Sequence, residues 1–155
     1  MDTALITRLT ASNGGYSALT LRVPLGFIFT AHGAQKLFGW FGGYGLAGTG
    51  AWMDSIGLHP GHLMALLAGG AEFFGGLALL VGLLVRPAAA ALAFAMLVAI
   101  FSVHIGNGLF MSNNGYEFGL ALLAASISLA IGGAGRLSLD QAIAAGFAAN
   151  TGRPD

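Results

Sequence analysis

Four long apolar segments constrain what this chain can fold into. They run over residues about 19–38, 63–85, 87–105 and 116–133. Each is close to the roughly 20 residues that an α-helix needs to cross the hydrocarbon core of a bilayer. Segments of this length joined by short connections are typical of an all-α integral membrane protein. We therefore predict a bundle of four transmembrane helices.

The composition supports a membrane protein and excludes several other classes. The chain has 155 residues, of which 56% are hydrophobic and 8% charged, and its mean hydropathy is +0.80. Average soluble domains carry roughly 25% charged residues. A net charge of zero without a basic cluster excludes nucleic-acid binding. The absence of cysteine excludes disulfides and dithiol relays. We predict one membrane domain, residues 1–155, in which a bound cofactor or substrate must carry any electrons.

Basic residues indicate how the chain is oriented, because cytoplasmic loops are enriched in Lys and Arg. Apart from Lys36 at the edge of the first loop, loops 39–62 and 107–115 contain neither residue type, so we expect both loops outside and both termini in the cytoplasm. The start of the chain lacks the pattern of a cleavable signal peptide, and the first span is expected to be retained. The basic residues that mark the inner side are Arg8, Arg22, Arg86, Arg136 and Arg153.

The long outer loop, residues 39–62, is too apolar for a solvated linker. Aromatic residues such as Trp40 suit the membrane interface. Thr49 is predicted to cap a short helix that Gly57 ends. We expect this helix to lie as a lid on the outer mouth of the bundle.

Two inner connections also carry helix signals. Val85–Pro87 is predicted to form a tight turn, with Pro87 at the first position of the third helix, where its missing N–H costs nothing. Ser138 and Gln141 form a capping box. It predicts a C-terminal helix that lies on the inner membrane surface.

The first span contains polar residues at membrane depth, where they are costly enough to suggest function. His32 and Lys36 are four residues apart and share one helix face, with Gln35 beside them. In the second span, Glu72 lies roughly 13 Å from the outer end at 1.5 Å per residue. It shares a face with small residues, which predicts that it points into the bundle. A carboxylate at this depth needs a partner, and Lys36, His32 or a water molecule could serve.

The third and fourth spans add polar groups on the same side. His104 and Asn107 lie at the outer end of the third span, and Glu117 begins the fourth. The face of Glu117 continues through three small residues at helical spacing, namely Ala121, Ala124 and Ser128. These positions predict one pocket in the outer half of the bundle, with Glu72 as its floor, His104 and Glu117 as its far wall, and the loop after Gly39 as its cover.

Simpler interpretations stay open at several positions. Lys36 could extend to the outer surface on its flexible stem, and His104 and Glu117 could be interfacial residues in contact with water. Arg22 could be an inner-surface anchor. His59 and His62 flank a Pro-Gly pair and are expected to shape the start of the second span, with an outer metal site as a lesser alternative.

Three motifs together carry a family resemblance: HGxxKLFGxFGG from His32, ExFGG from Glu72 and GRLSLD from Gly135. With their flanking residues, they make residues 18–142 resemble the DoxX family of small four-helix bacterial membrane proteins. The family pattern falls here on Arg22, Gly26, His32, Gly33, Lys36, Glu72, Gly75, Gly76, His104, Glu117 and Arg136.

The resemblance implies a redox association in the bacterial inner (plasma) membrane. Members resemble the small subunit of thiosulfate:quinone oxidoreductase, and a mycobacterial relative joins superoxide dismutase and a sulfurtransferase in a membrane complex. Our first hypothesis is a subunit that binds quinone or quinol, with Glu72, His32 and His104 as catalytic acid/base groups. The candidate ligand-binding residues are Gln35, Lys36, Trp40, Asn107 and Glu117.

Three other classes of function stay open from the sequence. The chain could be a non-catalytic anchor that docks soluble oxidoreductases. His32 and His104 could be axial ligands of a b-type haem, or of a metal with Glu72. The chain could also be a proton or small-solute transporter, although its spans lack the inverted repeat that many transporters have. The glycine faces of the first two spans could serve internal packing or a homo-oligomer.

Overall fold

The computed structural model describes residues 10–12 and 15–151, without the side chains of 148–151. Arg8 and Arg153, used above for orientation, lie outside the described residues. Every regular element in the described part is helical, which confirms the all-α prediction. The α-helices are α1 (Gly15–Phe38), α2 (Gly45–Ser55), α3 (Gly61–Val81), α4 (Val85–Ala99), α5 (Glu117–Gly132) and α6 (Leu139–Thr151).

Helices α1, α3, α4 and α5 pack around a common hydrophobic core. α1 contacts α3 and α5, α3 contacts α4, and α4 contacts α5. α3, and α4 with its continuation to Asn107, are each long and apolar enough to cross a membrane, by length and composition. A span by every one of the four helices stays a prediction. The core includes Leu25 and Phe29 of α1, Leu79 of α3, Leu92 and Met96 of α4, and Leu122 and Leu129 of α5.

Side-chain contacts show that neighbouring core helices run in opposite directions. Arg22, near the start of α1, bonds to the carbonyl of Leu79 near the end of α3, whereas Lys36, near the end of α1, reaches Glu72 in α3. His104, beyond the end of α4, bonds to Asn114 just before α5. We call the two ends of the structure the Arg22 end and the Lys36 end.

Glycines let α1 and α3 approach closely, as their positions predict. A Cβ added to Gly33 would overlap the backbone of Phe73, and a Cβ on Gly26 would lie 2.8 Å from the carbonyl oxygen of Gly76. A Cβ on Gly76 would lie 2.5 Å from the nitrogen of Thr30. The glycine faces therefore serve contact within one chain.

The predicted turn between the second and third spans is displaced. α3 ends at Val81, because Gly82 adopts a left-handed conformation (φ 72°) and the N–H groups of Gly82 and Leu83 both donate to the carbonyl of Ala78 at 2.9 Å. α4 already begins at Val85, so Pro87 is its third residue and not its first. The missing N–H still costs nothing there, because the first N–H groups of a helix have no partner within it.

The predicted cap of the outer-loop helix is also wrong at its start. α2 begins at Gly45, so Thr49 lies inside it, and the Thr49 hydroxyl donates to the carbonyl of Lys36 at 3.4 Å. The predicted end is confirmed, since Gly57 follows α2 with φ 86°. Thr49 thus connects α2 to the end of α1.

One of the two hydrogen bonds of the predicted capping box at the start of the C-terminal helix is confirmed. The backbone N–H of Gln141 donates to the Ser138 hydroxyl at 3.2 Å, and α6 begins at Leu139. This hydrogen bond satisfies one of the free N–H groups at the helix start.

The inward face of α5 differs from the prediction. Ala121, Ala124 and Ser128 are exposed, whereas Leu122, Leu123, Ser126 and Leu129 are buried. The predicted small-residue face therefore lies outward, and the face that carries Leu122, Ser126 and Leu129 lies inward. Because α5 is apolar on every side, its sequence pattern does not identify the buried face.

α4 continues beyond Ala99 in a wider form. Residues Ile100–His104 form a π-helical turn, and Ile105–Asn107 follow as a 3-10 turn. Short π-helical turns are frequent at functional sites. The turn determines where His104 leaves the helix.

Candidate functional site

A buried ion pair joins α1 and α3 near the Lys36 end. Lys36 Nζ lies 2.6 Å from Glu72 Oε2, and the side chains of Lys36 and Glu72 are 25% and 5% exposed. Lys36 is therefore the partner that the buried carboxylate needs, and it does not extend away to the outer surface. An ammonium has three donors, and Glu72 uses one of them.

Both members of the pair point toward the interior. With about 100° between successive residues, Lys36 lies within about 20° of Leu25 and Phe29, which are 4% and 1% exposed. By the same rule, Glu72 lies within about 20° of two buried residues of α3, Ala65 and Leu79. The pair thus lies on inner helix faces that are otherwise apolar, with Leu25, Phe29 and Leu79 toward the Arg22 end and Ala65 on the other side of Glu72.

The surface of α1 is exposed beside the pair. His32 lies about 20° from Leu25 on the surface of α1, yet His32 is exposed whereas Leu25 is buried. Its ring lies 6.4 Å, centroid to centroid, from the ring of Phe118 on α5. α1 and α5 therefore meet at this level through His32 and Phe118, and we call the exposed surface at His32 the open side.

Aromatic rings continue from the end of α1 to α3. The ring centroids of Phe38 and Trp40 are 5.2 Å apart, those of Phe38 and Phe73 are 5.1 Å apart, and those of Phe73 and Phe74 are 5.3 Å apart. Trp40 is 56% exposed. Glu72 directly precedes Phe73, so this aromatic surface lies next to the ion pair.

Gln35 supports the loop that carries Trp40. Its Nε2 donates to the carbonyl of Phe41 at 3.3 Å, and Phe41 has a left-handed backbone (φ 53°). That conformation is uncommon for a bulky residue. In this structure Gln35 therefore contacts the loop backbone beside the ion pair.

His104, Asn107 and Glu117 form a separate group that holds loop 108–116. His104 Nδ1 lies 2.9 Å from the Asn114 carbonyl oxygen, and Asn107 Nδ2 donates to the same oxygen at 3.2 Å. Glu117 Oε1 accepts a hydrogen bond from the Met111 N–H at 2.6 Å. Phe118, next to Glu117, contacts His32, so the two groups are neighbours on one end of the structure.

A second buried charge cluster lies at the Arg22 end, where Arg22 is 1% exposed. Its Nη1 donates to the carbonyls of Leu79 and Leu80 at 2.7 and 2.8 Å. Its Nε donates to Ala134 at 3.1 Å, and its Nη2 to Leu137 at 2.6 Å. Every nitrogen of the guanidinium is thus engaged by backbone, which supports an anchoring role.

Sequence reasoning missed Asp140, which is also 1% exposed. Its carboxylate accepts hydrogen bonds from the N–H groups of Leu84 and Val85 at 2.7 and 3.0 Å. It thereby caps α4 and joins α6 to the α3–α4 turn. Its position in the first turn of a helix, within the GRLSLD motif, was the available signal.

The junction between α2 and α3 contains a charged cap at the Lys36 end. Asp54 Oδ1 accepts a hydrogen bond from the Gly61 N–H at 2.7 Å and lies 2.8 Å from His59 Nδ1. The hydrogen bonds from Gly61 and then from His59 lower the pKa of Asp54, because both favour the ionised carboxylate. His59 and Asp54 thus shape the start of α3.

Cavities at the Arg22 end do not contain the predicted site residues. One of about 290 Å³ is lined by Arg136, Gln141 and residues near the chain start. We assign the candidate site to the Lys36 end, where a buried carboxylate, an ammonium and an open side meet. Among residues 10–12 and 15–151, no three His, Asp or Glu side chains come close enough to hold a metal ion.

Comparisons with known proteins identify the family of this chain. The DoxX family model matches residues 17–105. A Bacillus subtilis (strain 168) protein named "Putative oxidoreductase CatD" is 36% identical over 122 residues, which cover 79% of this chain and 83% of that protein. A Haemophilus influenzae (strain ATCC 51907 / DSM 11121 / KW20 / Rd) protein named "Uncharacterized protein" is 31% identical over 131 residues, which cover 83% of this chain and 84% of that protein. No solved structure matches significantly. This chain belongs to the DoxX family of membrane proteins.

Proposed function

We propose that this chain is a multi-pass subunit of a redox system in the bacterial inner membrane, and that it binds quinone or quinol at the Lys36 end. The observation that carries the proposal is the 2.6 Å ion pair between Lys36 and Glu72, placed on the inner helix faces beside an open side. Removing one partner of such a buried pair is costly. The Lys36 side chain is partly exposed, and its ammonium has two further donors that a ligand could use.

The residues present suit the chemistry of a quinone. A quinone carbonyl oxygen can accept a hydrogen bond from Lys36 Nζ, which uses one of its three donors for Glu72. Reduction to quinol consumes two protons, and His32 together with the ion pair can exchange them. The rings of Phe38 and Trp40 provide apolar surface for the quinone ring, since aromatic pairs favour offset and edge-to-face contacts.

The name of one relative supports a redox role. The Bacillus subtilis relative is named as an oxidoreductase, which we extend to this chain as part of the proposal. The chain has no cysteine, so electrons would come from a partner that has its own redox group. A soluble oxidoreductase docked on the membrane is the partner that we propose.

Tryptophan fluorescence provides a direct test of quinone binding. The chain has two tryptophans, Trp40 beside the site and Trp52 on α2. In lipid nanodiscs, added quinone is expected to quench Trp40 in a Trp52→Phe background more than Trp52 in a Trp40→Phe background. The quenching of Trp40 should saturate.

A matched pair of variants makes the test specific. Lys36→Met should weaken the saturable quenching at least about tenfold, because one charge-assisted hydrogen bond is lost, whereas His62→Asn, away from the pair, should leave it unchanged. Equal quenching in both variants would contradict quinone binding at this site. If the folded variants instead lose a co-purifying enzyme, the chain is a docking anchor.

A b-type haem between His32 and His104 stays a separate prediction from the sequence. His104 Nδ1 lies against a backbone carbonyl, which leaves its Nε2 as the nitrogen that could ligate iron. The ultraviolet-visible spectrum of the purified protein tests this prediction, because a bound haem gives a Soret band.

A further inference from the structure

We infer that Glu72 sets the charge selectivity of the proposed quinone site: it neutralises Lys36, so that the site binds an uncharged ligand directly and an anion only together with one proton. The inference rests on the proposed function. It concerns which ionic form of a ligand binds, which neither the family nor the relatives' names assign.

The two members of the pair differ in access. The Lys36 side chain is 25% exposed and that of Glu72 is 5% exposed. The Lys36 side chain is therefore the more accessible member of the pair. In the described part of the chain, the hydrogen bond from Lys36 is the one that the Glu72 side chain makes. Glu72 is thus a positioning residue that acts through Lys36.

The charge balance follows from this geometry. A neutral ligand adds no charge, and the ammonium can donate to its oxygen while it keeps the bond to Glu72. An anion would place a second negative charge beside one ammonium, in an interior where charge is poorly solvated. This second charge disfavours the ionised form of the Glu72 carboxylate. Glu72 then takes one proton from solution and forms a neutral O–H. No electrons move, and the ligand is unchanged.

Other titratable groups near the site provide the rival explanation. His32, one turn before Lys36 on α1, could take up the proton in place of Glu72. The remaining groups on elements that pack near the pair hold backbone atoms: Asp54 of α2 caps α3, His104 after α4 contacts the Asn114 carbonyl, and Glu117 of α5 accepts from Met111. His32 therefore needs its own control.

Two probes of nearly the same shape separate charge from shape. 2-Hydroxy-1,4-naphthoquinone is an anion at neutral pH, whereas 2-methoxy-1,4-naphthoquinone cannot ionise. Binding of each to the wild-type protein in nanodiscs is measured by titration calorimetry between pH 6 and pH 8, in two buffers of different ionisation enthalpy, with empty nanodiscs as the reference. The methoxy compound should bind with no proton uptake. Binding of the hydroxy compound should be accompanied by the uptake of one proton by the protein, and its affinity should rise by up to about tenfold for each unit fall in pH.

The variants Glu72→Gln and His32→Asn assign the proton. Glu72→Gln leaves Lys36 unneutralised, so the hydroxy compound should bind about tenfold or more tightly at pH 8 and without proton uptake. The methoxy compound should change by less than about threefold. His32→Asn should retain the proton uptake of the wild type.

The possible contrary results distinguish failure of this inference from failure of the proposed function. Anion binding without proton uptake in the wild-type protein, or uptake that persists in Glu72→Gln and disappears in His32→Asn, would overturn the inference alone. If neither compound binds the wild-type protein, the proposed function fails, and this inference fails with it. The wild-type measurement is informative even if Glu72→Gln does not fold.

Discussion

At the residue scale, the buried charges of this molecule differ in how many partners they have. Arg22 donates to four backbone carbonyls, and Asp140 accepts from two N–H groups. Lys36 and Glu72 bond to each other. Charges whose bonding capacity is used by the backbone stabilise the fold, whereas a pair with spare donors can also bind a ligand.

Replacing Arg22 by lysine should destabilise the protein although the charge is kept. An ammonium cannot reproduce the flat fork of the guanidinium, so some of the four carbonyls lose their donor in a buried place. We expect a loss on the order of 2–4 kcal/mol, measured by unfolding in mixed micelles with increasing dodecyl sulfate. Wild-type stability in Arg22→Lys would show that the charge alone suffices.

Removing one partner of the ion pair should cost more than removing both. Lys36→Met leaves the Glu72 carboxylate buried without a partner, which should reduce the unfolding free energy by about 3 kcal/mol. The double variant Lys36→Met, Glu72→Gln should recover part of that loss. The same micelle assay gives the coupling energy as a double-mutant cycle, and additive losses would contradict a direct interaction.

For one buried charge, the sequence limited the possible partners. Glu72 in the middle of an apolar segment needs a partner, and Lys36 was among the three that the sequence offered. Arg22 and Asp140 were harder, since their partners are backbone groups far away in the chain. A carbonyl or N–H has no sequence signature, so only the packed structure identifies it.

At the element scale, the close contact between α1 and α3 depends on glycines. Gly33→Ala places a methyl group against the Phe73 backbone, whereas a Cβ on Gly70 would meet nothing within 4 Å. Overpacking typically costs about 1–3 kcal/mol, and Ala in an open helix position is better than Gly by roughly 1 kcal/mol. We therefore expect Gly33→Ala to lower the midpoint of thermal unfolding and Gly70→Ala to keep or raise it. A fall of equal size in both variants would contradict the close-packing explanation.

The Asp54 carboxylate, which caps the start of α3, should make the stability of the protein depend on pH under acidic conditions. The pKa of Asp54 is lowered by its hydrogen bonds from Gly61 and His59, so the folded state favours the ionised form. Its contribution is present above the unfolded pKa, about 3.9, and is lost as the pH falls through the lower folded pKa. The difference in unfolding midpoint between the wild-type protein and Asp54→Asn should therefore be constant from pH 7 to 5 and shrink below about pH 4. A constant difference down to pH 2 would contradict this assignment.

Helix positions were predictable to within a few residues because apolar length indicates them directly. Junctions were less predictable. Leu83, Leu84 and Val85 continue the apolar run through the α3–α4 turn, so hydropathy alone hides the stop that Gly82 provides. The buried face of α5 was missed for the same reason, since lipid-facing and core-facing residues are both apolar.

At the scale of the whole molecule, the predicted topology can be tested with single cysteines, because the chain has none. Tyr44→Cys and Asn113→Cys lie at the Lys36 end, and Leu137→Cys lies at the Arg22 end. All three native residues are exposed. In intact spheroplasts, a membrane-impermeant maleimide should label the first two and not the third. Labelling of Leu137→Cys alone would reverse the orientation.

The helical class, the approximate positions of the helices and the polar residues within the apolar segments can be read from the sequence, because they follow from local apolar length and from the cost of a charge in an apolar medium. Which polar residues meet depends on the packed structure. It paired Lys36 with Glu72, placed His104, Asn107 and Glu117 on the loop backbone, and made Arg22 and Asp140 anchors of the opposite end. Those outcomes depend on the rotation of each helix and on backbone atoms distant in the chain, which local sequence does not encode.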